Sequence, residues 1–506
     1  MSADRSTPHD SRQLRSTMLR TMTLKVDLYD HRDVERACRV ARERLGVDAD
    51  ALAADLDGLT AALERHLRRE RAKSAAADAA PTPDEARAAM TPERVAECLA
   101  FARAPGLIAR INAQLGAGGI VGEEAGRLLL FSALASHAMP TTLHVLVQGS
   151  SGSGKSRLLD VVTRSMPAER VRRYTRVTDN AFYNQHPDHF RHTALVIEDM
   201  DGLAEDAELA LRELQTSEAL RTATSVKDER TGRIGGGEKV VWGPVASAAC
   251  TTRGEVYEDN VSRCVTVAVD ESAEQTARII EYQNARAAGE VSRESEEAAR
   301  SLLADYVRLL DSYEVVNPYA ARVAMPAGAH KVRRLNELYL TLVRQVTLMH
   351  QHQRAKDARG RLVATVEDLR AASAMLFEAI VLKCDELDGS LRQFYERLKS
   401  YLGERDARGG AAASSEERGT FTQREVRSAL GVSAAACSRH VTRLVRLEYA
   451  AAYYADNLRR KCYRLTVADD YVRLRRGIRA ALDAQIDAIE GGDGAGDSGT
   501  TGGVER

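Results

Sequence analysis

Aromatic residues are scarce. Phe, Trp and Tyr make up 5% of the chain, with a single Trp, so its cores must be built mainly from Leu, Val and Ala. Cysteine is sparse and scattered: the seven thiols (Cys38, Cys98, Cys250, Cys264, Cys384, Cys437, Cys462) form no CxxC pair and are odd in number. That pattern argues against structural zinc and fits a reducing cytoplasm. No apolar run reaches the ~18 residues that a membrane span needs. The nearest approach, Leu128–Met139, is broken by Ser and His and reads as a buried helix. Met1–Arg20 is polar and lacks the apolar stretch of a secretion signal. An excess of one charge is also missing: Lys+Arg is 72 and Asp+Glu 73, for a net charge of -1. A chain coated in one sign is thus excluded, although local basic patches are not. Secreted, membrane-spanning and zinc-finger classes are disfavoured, and a cytoplasmic location is expected.

What is present is a 506-residue chain with 44% hydrophobic and 29% charged residues, suited to a soluble globular protein of about three domains. Residues 1–20 read as disordered. Residues 21–83 form a small α/β region and linker, with a strand-like alternation at Thr21–Tyr29, helices at about 33–45 and 50–73, and an Ala/Pro-rich link at 74–83. Residues 84–272 begin with helices and then change texture. From Thr142, short β-rich runs (Leu143–Gln148, Ala194–Ile197, Val240–Cys250, Cys264–Val269) alternate with helical stretches. This predicts βαβ units and a parallel, helix-covered sheet. Residues 273–402 are helical in period, with breaks at Asn317-Pro318 and Pro326. A polar linker follows at 403–419, then a compact segment with a helix at 420–488, and a Gly/Asp tail at 489–506. The fold class expected is α/β.

The sharpest motif is Gly149-Ser150-Ser151-Gly152-Ser153-Gly154-Lys155-Ser156, a full GxxxxGK[ST] flanked by a strand and a helix. Glycines let backbone N–H groups curl around a phosphate, and the helix N-terminus adds its positive dipole end. Lys155 would reach the β- and γ-phosphates of ATP, and the Ser156 hydroxyl would coordinate Mg²⁺. About 40 residues downstream, the apolar strand His192–Ile197 ends in Glu198-Asp199. One carboxylate would orient the magnesium shell and the other polarise the attacking water.

With these residues in place, the segment from about 120 to 400 resembles the AAA+ ATPases, in particular the minichromosome maintenance (MCM) helicase branch and the helicase-type ATPases of bacterial and phage primase-like proteins. That family's second acidic motif, I-D-E-F-D-K, is similar to Ile197-Glu198-Asp199-Met200-Asp201-Gly202. The resemblance puts Glu198 on the magnesium-side aspartate and Asp199 on the catalytic glutamate, in reversed order, and leaves open which of the two activates water. It implies a sensor 1 role for Thr251, an arginine finger at Arg263 in Val261-Ser262-Arg263-Cys264, and sensor 2 at Arg333 on the lid helix Lys331–Val343, with Arg334 as the neighbouring alternative. On that helix Leu335, Leu338, Leu342 and Val346 share a face. Family rings are usually hexamers, so the resemblance also implies a homo-oligomer.

Two segments point toward DNA. Thr224–Val240 reads as two strand-like arms around a Gly-rich turn, where the family places a pore hairpin. Lys227, Arg230, Arg233 and Lys239 would meet phosphates there, although on charge alone a solvated hairpin fits nearly as well. The interval between the phosphate loop and the acidic strand leaves no room for the family's second pore insertion. Thr420–Tyr449 resembles a winged helix, with a turn at Gly431 and a wing formed by 449–454 and 462–466. From 420 to 466, nine Lys/Arg stand against three acids. Ser438, Arg439, Thr442 and Arg443 would face a groove if the second helix reads DNA. Protein docking is the competing use of such a module. His350-Gln351-His352 cannot set both rings on one helical face, and Cys250 and Cys264 read as small core residues.

The expectation is an ATP- and Mg²⁺-dependent AAA+ motor acting on single-stranded or forked DNA as a ring-forming helicase or translocase. Residues 21–73 resemble a segment found beside this ATPase in primase-like proteins, and no primase motif is present. Synthesis would therefore need a separate primase or nuclease partner. The rivals are a nucleotide-dependent DNA-binding switch without unwinding, and an inactive scaffold.

Overall fold

In the computed structural model, the described residues are 24, 26, 31–77, 81–217, 219–227, 234–252, 263–387, 389–408, 419–455, 460–466 and 471–496. The chain divides into two compact units, Met1–Pro81 and Thr82–Arg506. In the first, α1 (His31–Leu45) and α2 (Ala49–Ala77) pack together. Val34, Ala37, Cys38 and Ala41, spaced by three and four residues, form the buried stripe of α1. The expected strand Thr21–Tyr29, apart from Leu24 and Val26, lies outside the described residues, as do residues 1–20.

The second unit opens with α3 (Pro83–Ala88), α4 (Pro92–Arg103), α5 (Leu107–Ala117) and α6 (Glu124–Ala135). A five-stranded sheet follows: β1 (His144–Gln148), β2 (Val171–Tyr174), β3 (Thr193–Ile197), β6 (Val245–Thr251) and β7 (Val265–Ala268). Their spatial order is β2-β3-β6-β1-β7, and every pairing is parallel. Helices cover both faces, so the central strands are buried on both sides and mainly apolar, with polar residues at their ends (His144, Gln148, Thr193, Thr251) and at Ser247. Val145, Val147, Ala194, Val196, Ala248 and Cys250 point into one core, shared with α6 and α7 (Lys155–Arg164). Leu146, Leu195, Ile197 and Ala249 point into the other, shared with α8 (Glu205–Leu214).

The expected run Val240–Cys250 is divided. Its first residues end β5 (Ile234–Trp242), which pairs antiparallel with β4 (Ala219–Lys227), while Val245 begins the central strand. The boundary falls at Gly243-Pro244, where proline has no N–H to give a ladder. Leu220 and Val241 anchor the base of the hairpin in the core.

Further helices are α9 (Ala273–Ala287), α10 (Arg293–Arg308), α11 (Val332–Met349) and α12 (Val366–Cys384), and the short strands β8 (Val315–Val316) and β9 (Leu362–Val363) pair in parallel. On α11, Leu335, Leu342 and Val346 are buried as their shared face predicts, and Leu338 is partly buried against the same core.

The last elements are α13 (Gly389–Arg408), β10 (Thr420–Phe421), α14 (Gln423–Leu430), α15 (Ala434–Arg446), β11 (Ala450–Ala455), β12 (Arg460–Leu465) and α16 (Tyr471–Gly496). Thr422 and Glu425 form a capping box at the start of α14, Gly431 ends it in the left-handed region (φ 64°), and Ser433 caps α15. β10, β12 and β11 form a three-stranded antiparallel sheet. Two helices sit differently from their expected groupings. Leu391, Phe394, Tyr395, Leu398 and Leu402 of α13 pack with Phe421, Val426, Val441, Leu444 and Tyr463, so α13 belongs to the C-terminal module. Conversely, α16 returns to α12: Ile478, Leu482 and Ile489 join the main core, and Arg475 pairs with Glu378 at 2.5 Å. No helix among the described residues is long and apolar enough to cross a membrane.

Candidate nucleotide site

The Gly149–Ser156 loop joins β1 to α7, which Leu158, Leu159, Val161 and Val162 anchor against the sheet. Gly152 and Gly154 adopt φ of 82° and 99°, a region that a Cβ disfavours, and this lets the loop double back before the helix. Lys155 is buried, and its Nζ donates to Gly149 O (2.9 Å) and Ser150 O (2.5 Å). Ser156 is exposed in the first turn of α7.

The strand order assembles the rest. Because β6 lies between β1 and β3, Thr251 at the end of β6 falls between the phosphate loop and the Glu198-Asp199 pair. Gly149 N donates to Thr251 O at 3.4 Å. Beside it, burial pushes the Cys250 thiol up to about 12, with Lys155 opposing this and Glu198 and Asp199 adding to it. Cys250 and Cys264 are buried core thiols, as expected.

The three carboxylates after β3 have different environments. Glu198 Oε1 accepts from Arg173 Nε at 2.6 Å, and Arg173 also donates to Asp160 on α7 at 2.7 Å. Asp199 is exposed and accepts from Asp201 N at 3.0 Å, capping the short turn Met200–Gly202. Asp201, which the sequence did not single out, grips the end of β6. It accepts from Thr251 Oγ1 (2.6 Å), Thr252 Oγ1 (2.7 Å) and Thr252 N (2.8 Å).

A cleft of about 620 Å³ opens beside the loop. Ile120, Val121, Leu158, Ile279, Ile280 and Tyr282 give it an apolar wall suited to a flat base. Apart from Leu158 on α7, these residues also escaped the sequence reading, since they come from the turn before α6 and from α9. At the mouth, Glu271 Oε1 accepts from Ser150 N (2.5 Å) and Oε2 from Ser150 Oγ (2.8 Å). The loop thus already holds an oxyanion, which fits phosphate binding. The hydroxyl of Ser156 and the carboxylates of Glu198 and Asp199 are hard oxygen donors of the kind Mg²⁺ prefers. Among the described residues there is no His/Cys/Asp/Glu group of the kind that holds a transition metal.

Two candidates lie elsewhere. Arg263 precedes β7, donates to Arg212 O (3.3 Å) and acts electrostatically on His144, the first residue of β1. It therefore sits at the opposite end of β1 from its own phosphate loop. Arg333 is exposed in the first turn of α11. Of the hairpin cations, Arg230 and Arg233 lie outside the described residues, and Lys227 ends β4. Lys239 is exposed on β5 and donates to Asn184 Oδ1 at 3.0 Å. On α15, Arg439 is exposed and Arg443 half-buried.

The protein family described as the MTBMA_p00010 P-loop domain matches residues 105–312, a span that runs from α5 to the end of α10 and contains the phosphate loop, the acidic strand and Thr251. No curated protein matches the chain. Residues 105–312 thus match a P-loop domain, which points to nucleotide binding and hydrolysis.

Proposed function

We propose that the chain is an AAA+-type, MCM-like ATPase that works on DNA as a homo-oligomer, with ATP and Mg²⁺ as its cofactors and the cytoplasm as its location. The observation that carries the hydrolytic reading is the β3-β6-β1 order, which gathers Lys155, Thr251, Glu198 and Asp199 at one end of the sheet. Magnesium, when bound, supplies Lewis acidity toward the phosphate oxygens. Backbone N–H groups of Gly149–Gly154 hold the phosphates, and Lys155 exchanges the carbonyls of Gly149 and Ser150 for them. Ser156 and Glu198 provide oxygen ligands to the metal. Asp199, exposed and outside the Arg173 pair, is the better placed carboxylate to take the proton of the attacking water. Thr251 orients that water or the γ-phosphate, with its hydroxyl direction set by Asp201.

Arg263 cannot serve its own loop from the far end of β1, so its finger role requires a neighbouring subunit, and a hexameric ring supplies one. Arg333 on α11 is the sensor 2 candidate. DNA contacts fall to Lys227, Arg230, Arg233 and Lys239 of the hairpin and to Arg439 and Arg443 of the C-terminal module. The β10-α14-α15-β11-β12 order of that module supports the winged-helix reading. A primase or nuclease partner would complete the function if the chain serves synthesis.

The second reading, a nucleotide-dependent DNA-binding switch, is favoured by one observation: Arg173 neutralises Glu198 and ties it to Asp160. Strand displacement on a forked duplex separates the two, since ATP-driven unwinding supports the motor and its absence beside nucleotide-dependent DNA binding supports the switch. Mixing Lys155→Ala with Arg263→Ala tests the shared site. Partial recovery of turnover is expected, because mixed assemblies contain interfaces with both residues intact. No recovery at any ratio contradicts a finger acting between subunits.

A further inference from the structure

The outer half of the β11–β12 ribbon displays aromatic rings that its own packing does not use. Tyr454 is 67% exposed and Tyr453 36%, whereas Tyr463 of the same ribbon is buried in the core of the C-terminal module. Tyr453 stands opposite Cys462, and Tyr454 opposite Lys461. Consecutive strand residues point to opposite faces, so each face of the ribbon carries one of the two rings. Each ring also has a cationic residue across the ribbon on its own face. Arg464, two residues from the partner of Tyr453 and on the same face, sets its guanidinium 5.6 Å from that ring. Lys461 is exposed and pairs in register with Tyr454 on the other face, its Nζ 5.6 Å from the ring of Tyr463. Among the described residues of the ribbon, 450–455 and 460–466, there is no carboxylate.

Exposed tyrosines interleaved with cations, with no acid among the described ribbon residues, suit a polyanion that also offers flat apolar faces. Unpaired nucleic-acid bases meet both conditions, because a ring can stack on a base while the neighbouring cation meets its phosphate. A paired duplex hides its base faces within the stack, so the tyrosines add nothing to duplex binding. We propose that the β11–β12 ribbon binds unpaired bases, with Tyr454 and Tyr453 stacking and Lys461 and Arg464 contacting the backbone. This rests on the reading of the C-terminal module as a nucleic-acid module and assigns it a preference for single strands over duplex.

The test is fluorescence anisotropy with the full chain, using a labelled oligothymidylate and a blunt duplex of equal length. Tyr454→Ala is expected to weaken single-strand binding by about 5- to 150-fold, the range for loss of one stacked base. Duplex affinity should stay unchanged, and the salt slope on the single strand should be the same as for the wild type, since no phosphate contact is lost. Tyr454→Phe keeps the ring and should bind like the wild type. Lys461→Ala should instead reduce the single-strand salt slope by about 0.7. Equal losses on both substrates, or full single-strand affinity in both Tyr453→Ala and Tyr454→Ala, overturn the ribbon proposal. If Arg439→Ala weakens binding while the tyrosine variants do not, the module binds nucleic acid and only the ribbon assignment fails. A wild-type chain that binds neither substrate overturns both.

Discussion

Replacing Glu123 by Gln should stabilise the P-loop domain at pH 8 and leave it unchanged near pH 4. Glu123 precedes α6 in a left-handed conformation (φ 56°), and its Oε1 accepts from Asp270 N at 2.7 Å. Burial pushes its carboxyl from 4.5 up to about 7. The Asp270 N–H opposes this rise, the charges of Asp270 and Glu124 add to it, and Arg278 opposes it. A carboxyl whose folded-state pKa is raised binds its proton more tightly when folded, so stability is lost as pH climbs from 4.5 to about 7 and is flat beyond. At 1.36 kcal/mol per unit, that window amounts to about 3 kcal/mol. Gln has no proton to lose and keeps the oxygen that accepts from Asp270. The gain should therefore be near zero at pH 4, grow across the window and reach about 3 kcal/mol at pH 8, a shift of several degrees in melting temperature. Trp242, the only tryptophan, ends β5 next to the central strand β6, so tryptophan fluorescence reports melting of this domain. A Glu123→Gln variant that is no more stable at pH 8, or equally stabilised at pH 4 and 8, would refute the reasoning.

Further outcomes follow from the same site. Glu271→Gln removes a negative charge that would face the triphosphate, and a unit charge at contact distance is worth about 1 kcal/mol in water. Nucleotide affinity should rise about fivefold in a fluorescent-nucleotide titration, and a fall would make Glu271 a ligand of the bound state. Asp201→Ala frees Thr251 and Thr252 from three hydrogen bonds and should lower kcat about tenfold while nucleotide affinity stays within about twofold, because one positioning interaction is worth roughly 1–3 kcal/mol. Equal loss in binding and turnover would assign Asp201 to the stability of the loop instead.

Much of this site can be read from the chain because some of its parts are fixed by local spacing. Gly149–Ser156 announces itself through four constrained positions between a strand and a helix, and Glu198-Asp199 through an apolar run that ends in acids. What escaped reading depends on distant contacts or on edges. Val171–Tyr174 carries two arginines because it is the edge strand, so it has no apolar run to mark it. Asp201 is one acid among several after β3, and only the fold turns it toward Thr251. Glu271 meets Ser150 from more than a hundred residues away. α13 and α16 both have clear helical periods, but period does not tell a helix which core to join. The split at Gly243-Pro244 was visible as a dipeptide, yet the apolar residues on either side made one strand the simpler reading.

In the proposed site, Lys155 and the carboxylates brought beside it by the β3-β6-β1 order hydrolyse ATP. Phosphate release should be measured with and without single-stranded and forked DNA, for the wild type beside Lys155→Ala, Asp199→Asn and Arg263→Ala. The expected result is turnover that DNA stimulates and that all three variants lose. Turnover unchanged by Lys155→Ala, or tight ATP binding with no turnover under any DNA condition, would contradict it.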